Sequence, residues 1–166
     1  MTRTNARQLA VQLSFAISAG SDLSPEDFLQ EEYYAALPAD ETLYREIPDE
    51  QQKAYICSLV NGVREHTDEL DEIIARFSRG WKLSRISKTA LAVLRCALYE
   101  ICYMPEIPPA AAINEAVELA KGYDESETVS FINGILGGFM RSRELSYDGG
   151  EPVPEVEIEP ATDSEN

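Results

Sequence analysis

The stretch 113–136 constrains the fold more than any other, because two apolar stripes of helical period meet there across a short acidic corner. In INEAVELAK (113–121), Ile113, Val117 and Ala120 recur at steps of three and four residues with Ala116 beside them, so they line one side of a helix. Asp124 then stands three residues before Glu127, a capping-box-like spacing, and Val129, Ile132, Leu136 and Phe139 repeat at helical intervals. Asn133-Gly134 would suggest a hairpin between alternating runs, but here it falls inside a helical period. Gly134 is therefore read as a close-packing position.

The same period organises the rest of the chain. A first helix is predicted from about Thr4 to Ser18, with Leu9, Leu13, Ala16 and Ile17 inward and Arg3, Arg7 and Gln8 near its exposed beginning. Ser24-Pro25-Glu26-Asp27 is an N-cap, a proline at the first helical position and two acids suited to the helix dipole. It predicts a second helix carrying Phe28, Leu29 and Tyr33 to about Leu37. Pro38 to Pro48 reads as a loop, and Asp49 caps a third helix with Tyr55, Ile56, Leu59, Val60 and Val63 inward. A break at His66-Thr67 precedes a helix striped by Leu70, Ile73, Ile74 and Phe77 and closed by Gly80. The next, Ser87 to Tyr103, is apolar around much of its circumference and should be central. Arg95 and Glu100 on it need partners, with Glu115 and solvent as candidates. Prolines 105, 108 and 109 make a rigid connector into the organising pair.

A chain of 166 residues can bury one core, or two small helical halves, without disulfides. The fold class is all-α. No apolar run approaches membrane-spanning length and no cleavable leader is evident, so a cytoplasmic protein without membrane contact is expected. Cys57, Cys96 and Cys102 sit in apolar helical patterns with no CxxC or Cys/His spacing, and the lone His66 lies at a helix end. No metal, cofactor or catalytic constellation is predicted: Gly137-Gly138 lacks the Lys-Ser/Thr of a phosphate loop, and the adjacent acids at 68–69 and 71–72 point in different directions on a helix.

The formal net charge of −16 argues at first against nucleic acid. Its distribution reverses that reading. Residues 144–166 hold eight acids and no base; with three prolines between Gly150 and Ala161 and no apolar face, they read as a disordered acidic tail. From Ile73 to Tyr99 there is no acid at all, and Arg76, Arg79, Lys82, Arg85, Lys88 and Arg95 form a basic island. Arg76, Arg79 and Lys82, at three-residue steps beside Phe77, combine cations with an aromatic ring in a way that suits single-stranded RNA. Periodicity assigns Phe77 itself to the core stripe, whereas Phe131 lies about a quarter turn off the Val129–Ile132–Leu136 line and is partly exposed.

Four motifs in one order, WKLSRI (81–86), LRCALYE (94–100), INEAVELAK and FINGIL (131–136), resemble the transcription antitermination factor NusB family over about 3–143. The resemblance implies two small helical bundles, about 1–66 and 67–143, followed by the tail at 144–166. It also implies a non-enzymatic factor, without cofactor, that binds boxA-type single-stranded RNA together with ribosomal protein NusE. Within an RNA polymerase antitermination complex it would promote processive transcription of ribosomal RNA operons, the free protein being a monomer or homodimer. By position, Phe15, Phe77, Glu127 and Phe131 match places where the family meets RNA or lies close to it. Arg3 and Arg7 match its basic N-terminal segment, although Thr4 and Asn5 stand where arginines often do. Two alternatives stay open: a protein-only interaction module of the same fold, and a substrate-binding domain related to that of RNA cytosine methyltransferases.

Overall fold

The computed structural model describes residues 1–30, 46–78, 80, 82–123, 126–145, 147–148 and 151–152, which form two compact units divided at His66. Expectations for Tyr33, Leu37, the 38–45 loop, Arg79, Asp124 and most of the tail lie outside these residues.

In the first unit, α1 (Arg3–Ser18) starts at Thr2, whose side chain accepts from the Asn5 N–H at 3.0 Å. The predicted second helix begins where its proline says but closes after one turn, at Leu29, instead of continuing toward Leu37: α2 (Pro25–Phe28) is capped by Ser24, which accepts from Asp27 N–H at 3.1 Å. α3 (Glu50–Glu65) opens with a complete capping box, Asp49 accepting from Gln52 N–H and the Gln52 side chain accepting from Asp49 N–H. α1 packs on α3 through Ala6, Leu9, Ala10 and Leu13 on one side and Ile56, Leu59, Val60 and Val63 on the other, all buried. Phe28 and the C-cap residue Leu29 are buried too.

The second unit holds α4 (Thr67–Phe77), a 3-10 turn (Leu83–Arg85), α5 (Lys88–Tyr103), α6 (Pro109–Lys121) and α7 (Ser126–Leu145). α7 runs two residues beyond the expected end, and a minimal antiparallel pairing of Tyr147–Asp148 with Glu151–Pro152 follows it. Gly80, beyond α4, has φ +89°, the left-handed conformation that glycine adopts without a Cβ penalty. α5 packs against α4, α6 and α7 and buries ten of its residues, as a helix apolar on most sides must. Each large aliphatic side chain so removed from water contributes about 1.5–3 kcal/mol.

Three expectations for this unit change. The buried stripe of α6 is Ala112, Ala116 and Ala120, while Ile113 and Val117 flank it half-buried. Alanine at three successive turns lets the neighbouring helices approach, and the larger residues close the edges. Arg95 is held by Asp71 of α4, not by Glu115: Nε donates to Oδ1 at 2.7 Å and Nη2 to Oδ2 at 2.9 Å, a two-pronged bond that planar guanidinium favours. Gly134 is exposed, and a Cβ built on it meets no described atom within 4 Å. The close-packing glycine is Gly138, where a Cβ would lie 3.2 Å from Cδ1 of Phe77, whose ring stands edge-on to Phe139 at 6.1 Å.

This packing predicts opposite outcomes for two glycines on one helix. Gly134→Ala should stabilise by about 0.5–1 kcal/mol, the ordinary gain from removing a mid-helix glycine. Gly138→Ala should forfeit that gain because its methyl group must push Phe77 off Phe139; urea midpoints of the two variants check this. Asp71→Asn, which leaves the Arg95 fork half-answered in a largely shielded site, should cost about 1–3 kcal/mol in the same measurement.

Candidate functional site

A cavity of about 130 Å³ opens in the second unit where the start of α5 meets the first turns of α7. Its wall is made by Arg85, Ile86 and Ser87 from the approach to α5 and by Glu127, Thr128 and Phe131 from α7. Local sequence puts each there. The turn Leu83–Arg85 is closed by Arg85 N–H donating to the Lys82 carbonyl at 2.8 Å, and Ser87 then caps α5 by accepting from Ala90 N–H at 3.0 Å. Ile86, between them, is buried. On α7, Glu127 and Phe131 are four residues apart and so project on one side, with Thr128 next to them. Ile132, Ile135 and Leu136 turn the opposite side into the core, which leaves Phe131 half-buried as its angular offset predicted.

The lining is chemically mixed: two apolar walls, two hydroxyls, one cation and one carboxylate. Among the described residues neither Arg85 nor Glu127 enters an ion pair, and both are exposed. Sequence reading singled out Glu127 and Phe131 by resemblance but passed over Ile86, Ser87 and Thr128, and counted Arg85 only within the basic island. The signals were the helix-capping serine and the four-residue spacing, neither of which shows that two helix beginnings converge.

The remaining candidates separate. Phe77 is half-buried in its T-shaped contact with Phe139, which agrees with the core reading. Arg76 lies 3.8 Å from Glu72 one turn earlier, a contact that leaves its charge accessible. Lys82 is exposed at the start of the 3-10 turn, and Arg79 lies outside the described residues. Lys88, in the first turn of α5, is exposed as well. In the first unit, Phe15 is 37% exposed on α1, large for a phenylalanine and consistent with a contact surface. Arg3 is exposed, its guanidinium 6.0 Å from the Tyr55 ring centroid. Arg7 departs from expectation: it is only 4% exposed, and its guanidinium stacks 5.9 Å from the same ring. Its stem and cation serve the α1–α3 packing, because position 7 lies on the buried side next to Ala6.

Cys57, Cys96 and Cys102 are free thiols. Burial pushes Cys57 and Cys102 above the usual thiol range, with Glu26 adding to the effect at Cys57, so neither is a ready nucleophile. Tyr103, stacked on Tyr99 at 5.0 Å, donates its hydroxyl to the Glu69 carboxylate, and that hydrogen bond pushes the pKa of the phenol up to about 12. No helix of the described residues is long and apolar enough to cross a membrane.

A model of the NusB family matches residues 4–141. The chain belongs to the NusB family. The transcription antitermination protein NusB of Acetivibrio thermocellus is 42% identical over 151 residues, spanning 91% of this chain and 97% of the relative. That of Carboxydothermus hydrogenoformans is 43% identical over 137 residues, spanning 82% and 91%. A solved structure of T. maritima NusB superposes with a TM-score of 0.60 at 28% identity, covering 85% of this chain and 92% of that one. In this member of the NusB family the acidic composition spares the approach to α5, where Lys82, Arg85 and Lys88 are all exposed.

The different settings of the two N-terminal arginines predict different costs. Arg7→Ala should destabilise by about 1–3 kcal/mol because both the packing of its stem and the cation–ring attraction disappear, whereas Arg3→Ala should stay within about 0.5 kcal/mol. Thermal melting of the two variants tests this, and equal effects would contradict the assignment of Arg7 to the core.

Proposed function

We propose that this NusB-family protein is an antitermination factor that binds boxA-type single-stranded RNA together with ribosomal protein NusE, and so promotes processive transcription of ribosomal RNA operons. The observation that carries the reading is the cavity beside Phe131: an aromatic wall, two hydroxyls and the exposed Arg85 stand together there with Glu127, and Lys82 and Lys88 are exposed nearby in sequence on an otherwise acidic protein. Unstacked RNA bases need aromatic surface and hydrogen-bonding groups, and the phosphates between them need cations. End-to-end similarity to relatives named for antitermination, rather than to a part of a larger enzyme, favours this over a methyltransferase appendage. The protein acts by binding, in the cytoplasm, within an RNA polymerase antitermination complex.

In this reading, Arg76, Arg79 and Lys82 supply charge along the RNA path, and Phe15, Phe77, Glu127 and Phe131 meet or border the bases. Arg3 adds charge from the first unit. Arg7 acts through the packing of α1, holding in place the helix that presents Phe15.

Filter binding of boxA RNA with and without NusE tests the proposal, the pair of proteins being expected to hold RNA more tightly than this chain alone. No RNA binding under either condition would leave the protein-only interaction module standing. Replacing Arg76, Arg79 and Lys82 together by Gln should flatten the salt dependence by about 0.7 in log–log slope for each phosphate no longer neutralised. Phe131→Ala should weaken RNA binding by about 1–3 kcal/mol with little change in thermal stability, because the ring already faces solvent on one side. A large drop in stability with unchanged RNA binding would make Phe131 a core residue.

A further inference from the structure

The cavity at the start of α5 places an acceptor-only group and a cation on one small aromatic-walled space, and neither enters an ion pair among the described residues. A basic peptide would meet Arg85 there and an acidic one would meet Glu127. A nucleotide satisfies both, since it carries an anion at one end and N–H donors on a flat ring at the other. At about 130 Å³ the space is well below that of a drug-sized pocket, so it takes one base and not a stack.

We propose that the cavity is a receptor for a single unstacked guanine of the bound RNA, with Glu127 reading its Watson–Crick edge and Arg85 holding a flanking phosphate; this rests on the RNA-binding reading above. The choice of base follows from the carboxylate. Glu127 has two acceptor oxygens and no donor. Adenine and cytosine each set a ring-nitrogen acceptor beside the amino group, so a lone pair would face the carboxylate. Uracil flanks its one ring N–H with two carbonyls. Guanine alone offers two adjacent donors, N1–H and the 2-amino group, which match the two oxygens. Phe131 and Ile86 supply the apolar faces for the ring. Arg85, exposed at the rim, presents a fork suited to phosphate. Ser87 Oγ accepts from the Ala90 N–H, which leaves its hydroxyl hydrogen to donate to a ribose 2′-oxygen.

The test uses the full chain with NusE and a pool of short single-stranded RNAs of randomised sequence, with the bound fraction sequenced. The wild-type protein should enrich guanine at one register, and replacing that guanine by inosine, which lacks the 2-amino group, should weaken binding about tenfold. Glu127→Gln should lose the discrimination between guanine and inosine and shift preference toward adenine, whose acceptor–donor edge suits an amide. Arg85→Gln should weaken all sequences alike and lower the salt slope by about 0.7 while keeping the guanine preference. If wild-type protein enriches RNA but Glu127→Gln retains the same guanine preference, the receptor assignment is overturned while the RNA-binding reading survives. If no RNA is enriched, both fall. Glu127 and Arg85 are exposed, so neither variant should alter the melting temperature, which is measured alongside.

Discussion

The second unit depends on burying a helix that is apolar nearly all the way round. α5 has so little polar surface that α4, α6 and α7 must each cover part of it, and the one arginine in its middle must then be answered from within the unit. Asp71 does so with both carboxylate oxygens, a contact that joins α4 to α5. A partly buried ion pair adds little net stability compared with apolar packing, but an unanswered charge at that depth would cost several kcal/mol. The pair therefore ties α4 to α5 at one defined contact.

That arrangement has a functional consequence at the other end of α5. Once its rotation is set, Ser87 and the residues before it meet the first turns of α7, and a cavity remains because the side chains there are a serine, a threonine and the edges of Ile86 and Phe131. The helix cap and the cavity share a residue. Ser87 satisfies one of the free N–H groups of α5 while facing the space that a ligand would fill. On α7 the division of labour is angular: Ile132, Ile135 and Leu136 bury, Glu127 and Phe131 face outward, and Gly138 gives way to Phe77.

Electrostatics explains how an acidic protein can carry such a surface. Phosphate neutralisation is local, since charges more than about 8–10 Å from one another are largely screened at physiological salt. An acid-free stretch from Ile73 to Tyr99 therefore matters more than the net charge of −16, half of which belongs to the final segment. The N-terminal arginines show the limit of such counting. Arg3 and Arg7 are equal in charge, yet the second is withdrawn into packing against Tyr55 and only the first is presented to solvent.

The sequence by itself determined where helices start. Caps read at Ser24 and Asp49, and apolar periods from about Thr4 and Ser87, are local chemistry between residues three or four apart, and they place these helix starts within a residue. It also determined the family, through motifs whose order survives without any knowledge of contacts. Tertiary structure decided whatever depends on the rotation of one helix against another. That Arg95 pairs with Asp71 rather than Glu115, that Ala112, Ala116 and Ala120 rather than Ile113 form the buried line of α6, and that Gly138 rather than Gly134 is the close contact all turn on small changes in helix phase. The cavity is of the same kind: Arg85 and Ser87 are more than thirty positions from Glu127 and Phe131, and only packing of α5 and α7 brings them together. Periodicity fixes which residues share a side of one helix, but the phase between helices is set by side-chain volumes and charges on both, which no single stretch contains.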